Sequence, residues 1–239
     1  MGKRIIAQRR GKGSTTYRCH SFKFKGTAKH PRLGNEPQLI KGKIIDLIHC
    51  PAHSAPLAKV KYENGDTSLM IAPENICVDQ TIEVLGKNVE VGNILQLKEI
   101  PEGTLIYNIE AVPGDGGKFV RSSGTFARVM THLNNKTTLI LPSKKQKVFN
   151  SKCMASIGVV AGGGRPEKPF LKAGTKFHKM KVKNRLYPKV SGGSMNAVDH
   201  PFGNKRSSRK STARVAPRNA PPGRKVGMVR AKRTGRRKR

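Results

Sequence analysis

LAKVKYENGDTSLMIA, residues 57–72, consists of two short runs separated by Asn64-Gly65. Apolar and polar residues alternate along Leu57–Tyr62, and Thr67–Ala72 is rich in residues that favour strands. Period-two alternation is typical of a half-buried strand, and Asn-Gly between two such runs favours a hairpin with a type I′ turn. That turn requires positive φ at both central residues. The stretch therefore predicts an antiparallel hairpin.

Further short strands are predicted on both sides of this hairpin. Gly, Pro or Asn bounds most of them, none shows a helical period, and Gly42 lies inside the first, where it permits a bulge or a sharp coil. The predicted strands are Leu39–Ile48, Thr81–Leu85, Ile94–Ile100, Thr104–Ile109, Lys118–Arg121, Thr125–Met130, Thr137–Leu141, Gln146–Phe149 and Met154–Val160. Regular short strands indicate an all-β barrel or sandwich. A five-stranded OB-type barrel fits residues 38–100, a second small body begins near Pro101, and part of Lys168–Lys189 is expected to be one short helix.

Charge is distributed unevenly along the 239 residues. Lys and Arg total 48 against 14 Asp and Glu, a formal net charge of +34. Residues 1–35 carry ten cations and no acid, residues 36–115 carry twelve acids and six cations, and residues 116–199 carry seventeen cations and two acids. Self-repulsion on this scale requires a polyanion, and nucleic acid is the expected one. The sequence contains no apolar run long enough to span a membrane, and Met1–Ala7 lacks the apolar core of a signal peptide. We therefore expect a cytosolic protein.

Aromatic residues of the N-terminal arm lie among cations. Tyr17, Phe22 and Phe24 neighbour Arg18, Lys23 and Lys25. Such rings can stack on bases or ribose while the cations hold phosphates. The alternative is that the rings only pack the arm onto the body, and the sequence leaves both interpretations open.

Two glycine-rich segments, Pro113–Lys118 and Arg121–Thr125, place glycines beside cations and hydroxyls. Glycine lets the backbone approach a ligand closely and exposes N–H donors, so one interpretation is a loop that cradles phosphate. The Walker pattern G-x-x-x-x-G-K-[ST] is absent, which argues against nucleotide hydrolysis.

The four cysteines, Cys19, Cys50, Cys77 and Cys153, form no C-x-x-C pair. The spacing of Cys50 and His53 is ligand-like, and the adjacent Cys19 and His20 would be needed to complete a zinc site. Reduced thiols are favoured over structural zinc in a cytosolic protein. We predict no metal and no cofactor.

The segment Met195–Gly203, which we call the junction segment, lies at a composition boundary. Asp199 is the last acidic residue, and residues 205–239 carry fifteen Lys or Arg. The tail also contains Pro217, Pro221 and Pro222, and we expect it to lack fixed structure until it binds RNA. The junction segment thus connects a folded body to a cationic extension.

The sequence of the junction segment resembles the signature of a known family. The matching residues are Tyr187–Gly203, with Met195-Asn196, Asp199, His200 and Pro201 as its core, and in order along the chain Met1–Gly13, Gly116–Ala127, Leu141-Pro142-Ser143, Cys153–Val160 and Gly162–Pro169. Together they resemble the L-two family, the universal second protein of the large ribosomal subunit, in its archaeal and eukaryotic form. The resemblance covers the whole chain.

The resemblance implies an all-β fold in which an OB-fold barrel precedes an SH3-like barrel. The corresponding domains are 1–37 (basic arm), 38–100 (OB fold), 101–185 (SH3-like barrel) and 186–239 (basic extension). The implied function is that of a structural constituent of the large subunit. It binds rRNA near the peptidyl-transferase region and supports subunit association, tRNA binding and peptide-bond formation, without being an enzyme. The implied partners are large-subunit rRNA, neighbouring ribosomal proteins, the small subunit at a bridge and, indirectly, tRNA; no membrane is implied.

Most of the predicted RNA-binding residues lie in the arm, the two glycine-rich segments, the junction segment and the tail, and Arg128, Arg165 and Lys189 lie between these segments. The predicted residues are Arg4, Arg9, Arg10, Lys118, Arg121, Ser122, Arg128, Arg165, Lys189, Met195, Asn196, Asp199, His200, Arg206 and Arg209. We expect Asp199 to accept backbone N–H groups in a turn. By resemblance, His200 matches a histidine proposed to assist peptide-bond formation; an RNA-contacting or turn-stabilising role is favoured over catalysis, and a dispensable side chain is the third interpretation.

Two other classes of protein share the high positive charge. A DNA-packaging protein would rarely need barrels with glycine-rich loops. A soluble translation factor would rarely carry cationic extensions at both ends, because these bind RNA indiscriminately. Both classes are therefore less favoured than a ribosomal protein.

Overall fold

A computed structural model describes residues 2–31, 39–204 and 219–223. Ten strands form one sheet in the order β3-β2-β1-β4-β5-β10-β6-β7-β8-β9. The strands are β1 Ile40–Ile48, β2 Leu57–Tyr62, β3 Thr67–Ile71, β4 Thr81–Val84, β5 Ile94–Gln96, β6 Leu105–Tyr107, β7 Ala127–Leu133, β8 Lys136–Ile140, β9 Gln146–Asn150 and β10 Met154–Ile157, and the helices are α1 Ile6–Gly11 and α2 Ala173–Val182. The predicted all-β class is confirmed, and α2 is the short helix expected after the strands. Within the described ranges, no helix is both long and apolar enough to cross a bilayer.

The β2–β3 hairpin forms as predicted, but its turn differs. Gly65 has a φ of 85°, whereas Asn64 has no positive φ, so the type I′ turn was wrong. Gly65 donates its N–H to Tyr62 O at 3.0 Å, and Tyr62 donates to Asp66 O at 2.9 Å. The loop thus contains three residues, a type I turn followed by a glycine in the left-handed region. The Asn64 side chain caps the loop by accepting the Asp66 N–H at 3.0 Å.

Strand β1 lies between β2 and β4 in the sheet and pairs with both. It pairs with β2 along its length and with β4 through residues 40–43, and its register shifts between Ile44 and Asp46. A Cβ on Gly42 would lie 2.7 Å from side-chain atoms of Tyr62 and Val60. Gly42 therefore allows the close approach of β2, while the bulge itself follows Ile44.

Several predicted strands end early, and one does not form. Strand β10 ends before Gly158, which has a φ of 117°, and Leu97–Glu99 after β5 is a short 3₁₀ turn. Lys118–Arg121 is not a strand, because Val120 has a φ of 55° and only Phe119 bridges to Ile109. Residues with positive φ leave the extended region, so strand pairing stops there.

The buried apolar residues form three clusters in residues 19–185. The first lies mainly within β1–β5, with Met154 of β10, and centres on Ile44, Val60 and Ile82. The second centres on Ile106 and Leu139 among the later strands. The boundary predicted at residue 100 stays a prediction; Leu95, Leu97 and Ile100 pack in the second cluster. The third cluster contains Ala28, Cys50, Ala55, Leu57, Ile71, Tyr107 and Val160.

The chain divides into two compact units. One consists of Met1–Arg18 together with Leu186–Arg239, and the other is Cys19–Arg185. In the first unit, the N–H of Lys3 donates to Val198 O at 2.8 Å. The N-terminal arm is therefore hydrogen-bonded to the junction segment across most of the sequence length.

Candidate nucleic-acid interface

A cationic groove of about 690 Å³ lies on the unit formed by residues 19–185. It is built from the loop after β1, the loop before β7, the segment before α2 and α2 itself. Six cations line it, together with hydroxyl groups and the ring of Phe170; the cations are Arg121, Arg165, Lys168, Lys179, Lys183 and Arg185. Among the described residues, no carboxylate lines this groove. We call this surface the cationic groove.

Hydrogen bonds and close glycine packing fix the loops of the groove. Arg165 Nη1 donates to Ser54 O at 2.5 Å, and Ser123 N donates to Ser54 Oγ at 3.1 Å. A Cβ on Gly124, whose φ is +69°, would lie 2.6 Å from the Cα of Gly163. The glycines thus let two loops touch backbone to backbone. The groove is preformed by contacts that do not require a ligand.

The cations of the groove repel one another. The pKa of Lys183 is lowered mainly by burial and secondly by the nearby charges of Arg165 and other cations. The pKa of Lys179 is lowered mainly by burial and secondly by the charge of Arg165. Burial, then Arg121 and Lys183, also lowers the pKa of His53. Burial is the larger cause of these lowered pKa values and neighbouring positive charge is the smaller one, and a bound polyanion would offset the smaller one.

Arg121 has a structural role in addition to lining the groove. Its guanidinium donates from Nη1 to Gly117 O at 2.7 Å and from Nη2 to Ala28 O at 2.6 Å. Burial lowers its pKa, and Asp115 partly offsets that shift. Arg121 therefore ties residues of the predicted arm and of the glycine-rich loop to the body.

The glycine-rich loop at Pro113–Lys118 does not present free N–H groups to a phosphate. The fully buried carboxylate of Glu110 accepts the N–H groups of Gly114 at 3.1 Å, Gly116 at 3.0 Å and Met154 at 2.9 Å. Asp115 accepts the N–H of Gly117 at 3.0 Å. The phosphate-cradle interpretation is wrong for these donors, because an internal carboxylate already occupies them.

The junction segment is a compact series of turns. The N–H groups of Asp199 and His200 both donate to Asn196 O, at 3.0 and 3.2 Å, and Asn204 donates to Met195 O at 3.1 Å. Within the described ranges, no backbone N–H donates to the carboxylate of Asp199, contrary to our expectation. The turn is closed by backbone groups instead. Lys189, also predicted to bind RNA, is exposed ahead of the segment.

His200 has a defined tautomer. Its Nδ1 accepts the backbone N–H of Phe202 at 3.0 Å, so the ring proton lies on Nε2. A Cβ on Gly192 would collide with the His200 ring, and the ring packs edge-on against Phe202 with centroids 5.0 Å apart. This geometry supports the turn-stabilising interpretation of His200.

The rings of the N-terminal arm have different surroundings. Phe24 packs against the third apolar cluster, whereas Phe22 is 79% exposed. Tyr17 lies beneath the guanidinium of Arg10 at 5.6 Å, and Arg9 is an exposed residue of α1. Phe24 therefore fits the packing interpretation, whereas Phe22 stacks on His20, with ring centroids 5.6 Å apart, and keeps most of its surface exposed.

The predicted site residues thus fall into separate groups. The cationic groove brings together Arg121, Ser122 and Arg165, while Lys118 and Arg128 are exposed elsewhere. Arg4 is exposed in the arm. Arg206 and Arg209, like most of the tail, lie outside the described residues. The remaining groove cations were not among the predicted site residues, although the dense cations of Lys168–Lys189 are the signal that marks them.

All four cysteines are free thiols, with Cys50 and Cys153 buried. Burial first, and Glu110 next, raises the pKa of Cys153 to about 11. The part of the chain that the structure describes contains no group of three or more His, Cys, Asp or Glu side chains that could hold a metal ion. Cys50 and His53 therefore lack the further ligands that zinc requires.

Comparisons with known proteins agree with these features. Residues 2–84 match the family model described as Ribosomal Proteins L2, RNA binding N-terminal domain, and residues 90–221 match Ribosomal Proteins L2, C-terminal domain. The chain is 51% identical over 243 residues to the Large ribosomal subunit protein uL2 of Methanocaldococcus jannaschii, with 100% of both chains covered. It is 50% identical over 242 residues to the protein of the same name from Methanothermobacter thermautotrophicus, again with 100% of both covered. The resemblance read from the sequence is confirmed.

Proposed function

Because this chain belongs to the family of ribosomal proteins L2, we propose that it is a structural constituent of the large ribosomal subunit. Its cationic groove holds the backbone of large-subunit rRNA. Its partners are that rRNA and neighbouring ribosomal proteins, and its place of action is the cytoplasm.

The observation that carries this proposal is the groove itself. Six Lys and Arg side chains line one preformed surface, and no described residue there supplies a balancing carboxylate. Phosphates spaced along an RNA strand would release counterions on binding and remove the repulsion among Arg165, Lys179 and Lys183. Phe170, which lies 5.0 Å from Lys179 Nζ, offers a ring beside these cations.

The finer roles belong to the same proposal. The protein binds rRNA near the peptidyl-transferase region, contributes to a bridge with the small subunit and affects tRNA only indirectly. It supports peptide-bond formation through architecture and is not an enzyme. The acceptor role of His200 Nδ1 within its own turn supports this view, since it gives the imidazole a structural task.

Equilibrium binding of the full chain to large-subunit rRNA of its own source, measured across salt concentrations, tests the proposal. Each lost phosphate contact flattens the plot of log affinity against log salt by about 0.7–0.9. The double variant Lys179→Gln, Lys183→Gln should therefore flatten the slope by about 1.4–1.8. The matched control Lys59→Gln, Lys61→Gln removes two exposed cations from β2 and should leave the slope unchanged. Equal slopes for the groove variant and wild type would contradict the proposal.

A further inference from the structure

A second depression, which we call the apolar cleft, lies between the start of β7 and the β8–β9 turn. Its volume is about 340 Å³, and its walls include Phe126, Ile140, Leu141 and Pro142. The cations Arg128 and Lys144 also line it. Thr125 lines both this cleft and the cationic groove, so the two surfaces adjoin along the chain.

The lining of the apolar cleft does not suit a phosphate alone. Its walls are apolar, and the ring of Phe126 is 42% exposed at the cleft. An unstacked nucleotide has the complementary chemistry, because its base presents apolar faces and its phosphates are anionic. The two cations supply the charge complementarity for those phosphates.

The backbone at Lys144 supports a role for its side chain. Leu141 donates to Lys145 O at 3.0 Å, and Lys144 donates to Leu141 O at 2.8 Å, which is the hydrogen-bond pattern of the Tyr62–Asp66 loop. In the Tyr62–Asp66 loop the residue in the left-handed conformation is Gly65. In the present loop it is Lys144, which has a φ of 63°. Lysine is less favourable than glycine in this conformation, so the Lys144 side chain is held at the cleft at some cost to folding.

We infer that the apolar cleft receives one unstacked base of the rRNA strand that occupies the cationic groove, with the flanking phosphates on Arg128 and Lys144. This inference rests on the proposed function. It adds a binding site outside the groove and specifies its ligand as a single-stranded nucleotide. Thr125 marks the point at which the strand passes from one surface to the other.

The test combines binding with chemical probing of large-subunit rRNA, using the full chain. Phe126→Leu keeps an apolar side chain but removes the ring, and should weaken binding about tenfold. It should also expose one or two adjacent unpaired nucleotides to dimethyl sulfate while the other protections persist. Lys144→Gly relieves the backbone strain, so it should weaken binding without lowering the melting temperature.

Leu133→Ala is the matched control, because Leu133 is an exposed apolar residue, 66% accessible, at the far end of β7. It should change neither affinity nor protection. If Phe126→Leu and Lys144→Gly both bind and protect as wild type does, while the groove double variant binds weakly, the inference is overturned and the proposed function stands. If the wild-type chain protects no rRNA nucleotide at all, both are overturned. Cross-links from residues of the apolar cleft to a neighbouring protein instead of to rRNA would also overturn the inference.

Discussion

The buried carboxylate of Glu110 accepts the backbone N–H of Gly116 at 3.0 Å. The same carboxylate accepts N–H groups from Gly114 and from Met154, the first residue of β10. One acidic side chain therefore organises the glycine-rich loop and joins it to Met154 of the first apolar cluster. The position that phosphate would occupy in a cradle is taken by a group of the protein itself.

Replacement of Glu110 by Gln should destabilise the fold. The amide has one acceptor oxygen and places an NH₂ group against backbone donors, so at least one charged hydrogen bond is lost. We expect a loss of about 2–3 kcal/mol in the free energy of unfolding by urea. Glu63→Gln removes the same charge from the exposed β2–β3 loop and should change stability by less than about 0.5 kcal/mol. Equal stability of the two variants would argue against the organising role of Glu110.

Stability should fall in mild acid because of His30. Burial lowers the pKa of this histidine, although Asn108 O accepts from Nε2 at 2.6 Å and Glu110 lies near. Protonation would add an N–H at the buried Nδ1, which has no partner in the structure. The unfolded chain therefore binds more protons between the lowered pKa and the ordinary value near 6.5, and stability decreases as pH drops through that window.

The slope attributable to His30 is at most about 1.4 kcal/mol per pH unit below pH 6.5. His30→Gln should flatten the dependence of the melting temperature on pH from 7.5 to 5. His53 shifts in the same direction, so His53→Gln is the comparison, and its smaller burial predicts a smaller change. A His30→Gln profile as steep as that of wild type would refute the assignment.

Gly203→Ala should disturb the junction segment. The new Cβ would collide with backbone atoms of Asn196 and Met195, which cannot rotate away as a side chain does. Overpacking of this kind costs about 1–3 kcal/mol, and amide hydrogen exchange should accelerate in residues 195–204. Gly174→Ala is the control, since a Cβ added to this residue of α2 would meet nothing within 4 Å. Unchanged exchange in Gly203→Ala would show that the turn tolerates the added methyl group.

His200→Ala should impair assembly rather than chemistry. The substitution removes the acceptor for the Phe202 N–H and leaves a space beside Gly192. Reconstituted large subunits should incorporate less of the variant, while those that do assemble should form peptide bonds at the wild-type rate. Subunits that assemble normally and bind tRNA correctly, yet lose the chemical step, would establish a catalytic histidine instead.

Sequence patterns located most of the strands because alternation and turn residues act locally. They failed where one residue leaves the extended region, as at Val120, and where the loop length is decided by hydrogen bonding, as at Asn64. The charge pattern indicated nucleic acid but did not assemble the groove. Tertiary packing brings Arg165 and Lys183 close enough to affect each other's charge. Their positions in the sequence do not indicate that they are neighbours.

The role of Glu110 could not be predicted for a similar reason. A single acidic residue in a mildly acidic segment has no distinctive spacing, and its three N–H partners come from residues up to 44 positions away. Conversely, the resemblance at Met195–Gly203 identified the family without indicating that His200 accepts a hydrogen bond from its own turn. Local motifs thus identified the family, while buried partners required the structure.

Cross-linking in cells, mapped to single residues, would show whether the cationic groove holds large-subunit rRNA. We expect adducts with large-subunit rRNA on peptides that contain His53, Phe170 and Lys179–Arg185, in particles the size of the large subunit. Adducts spread over unrelated RNAs or DNA, with the protein absent from those particles, would contradict this expectation.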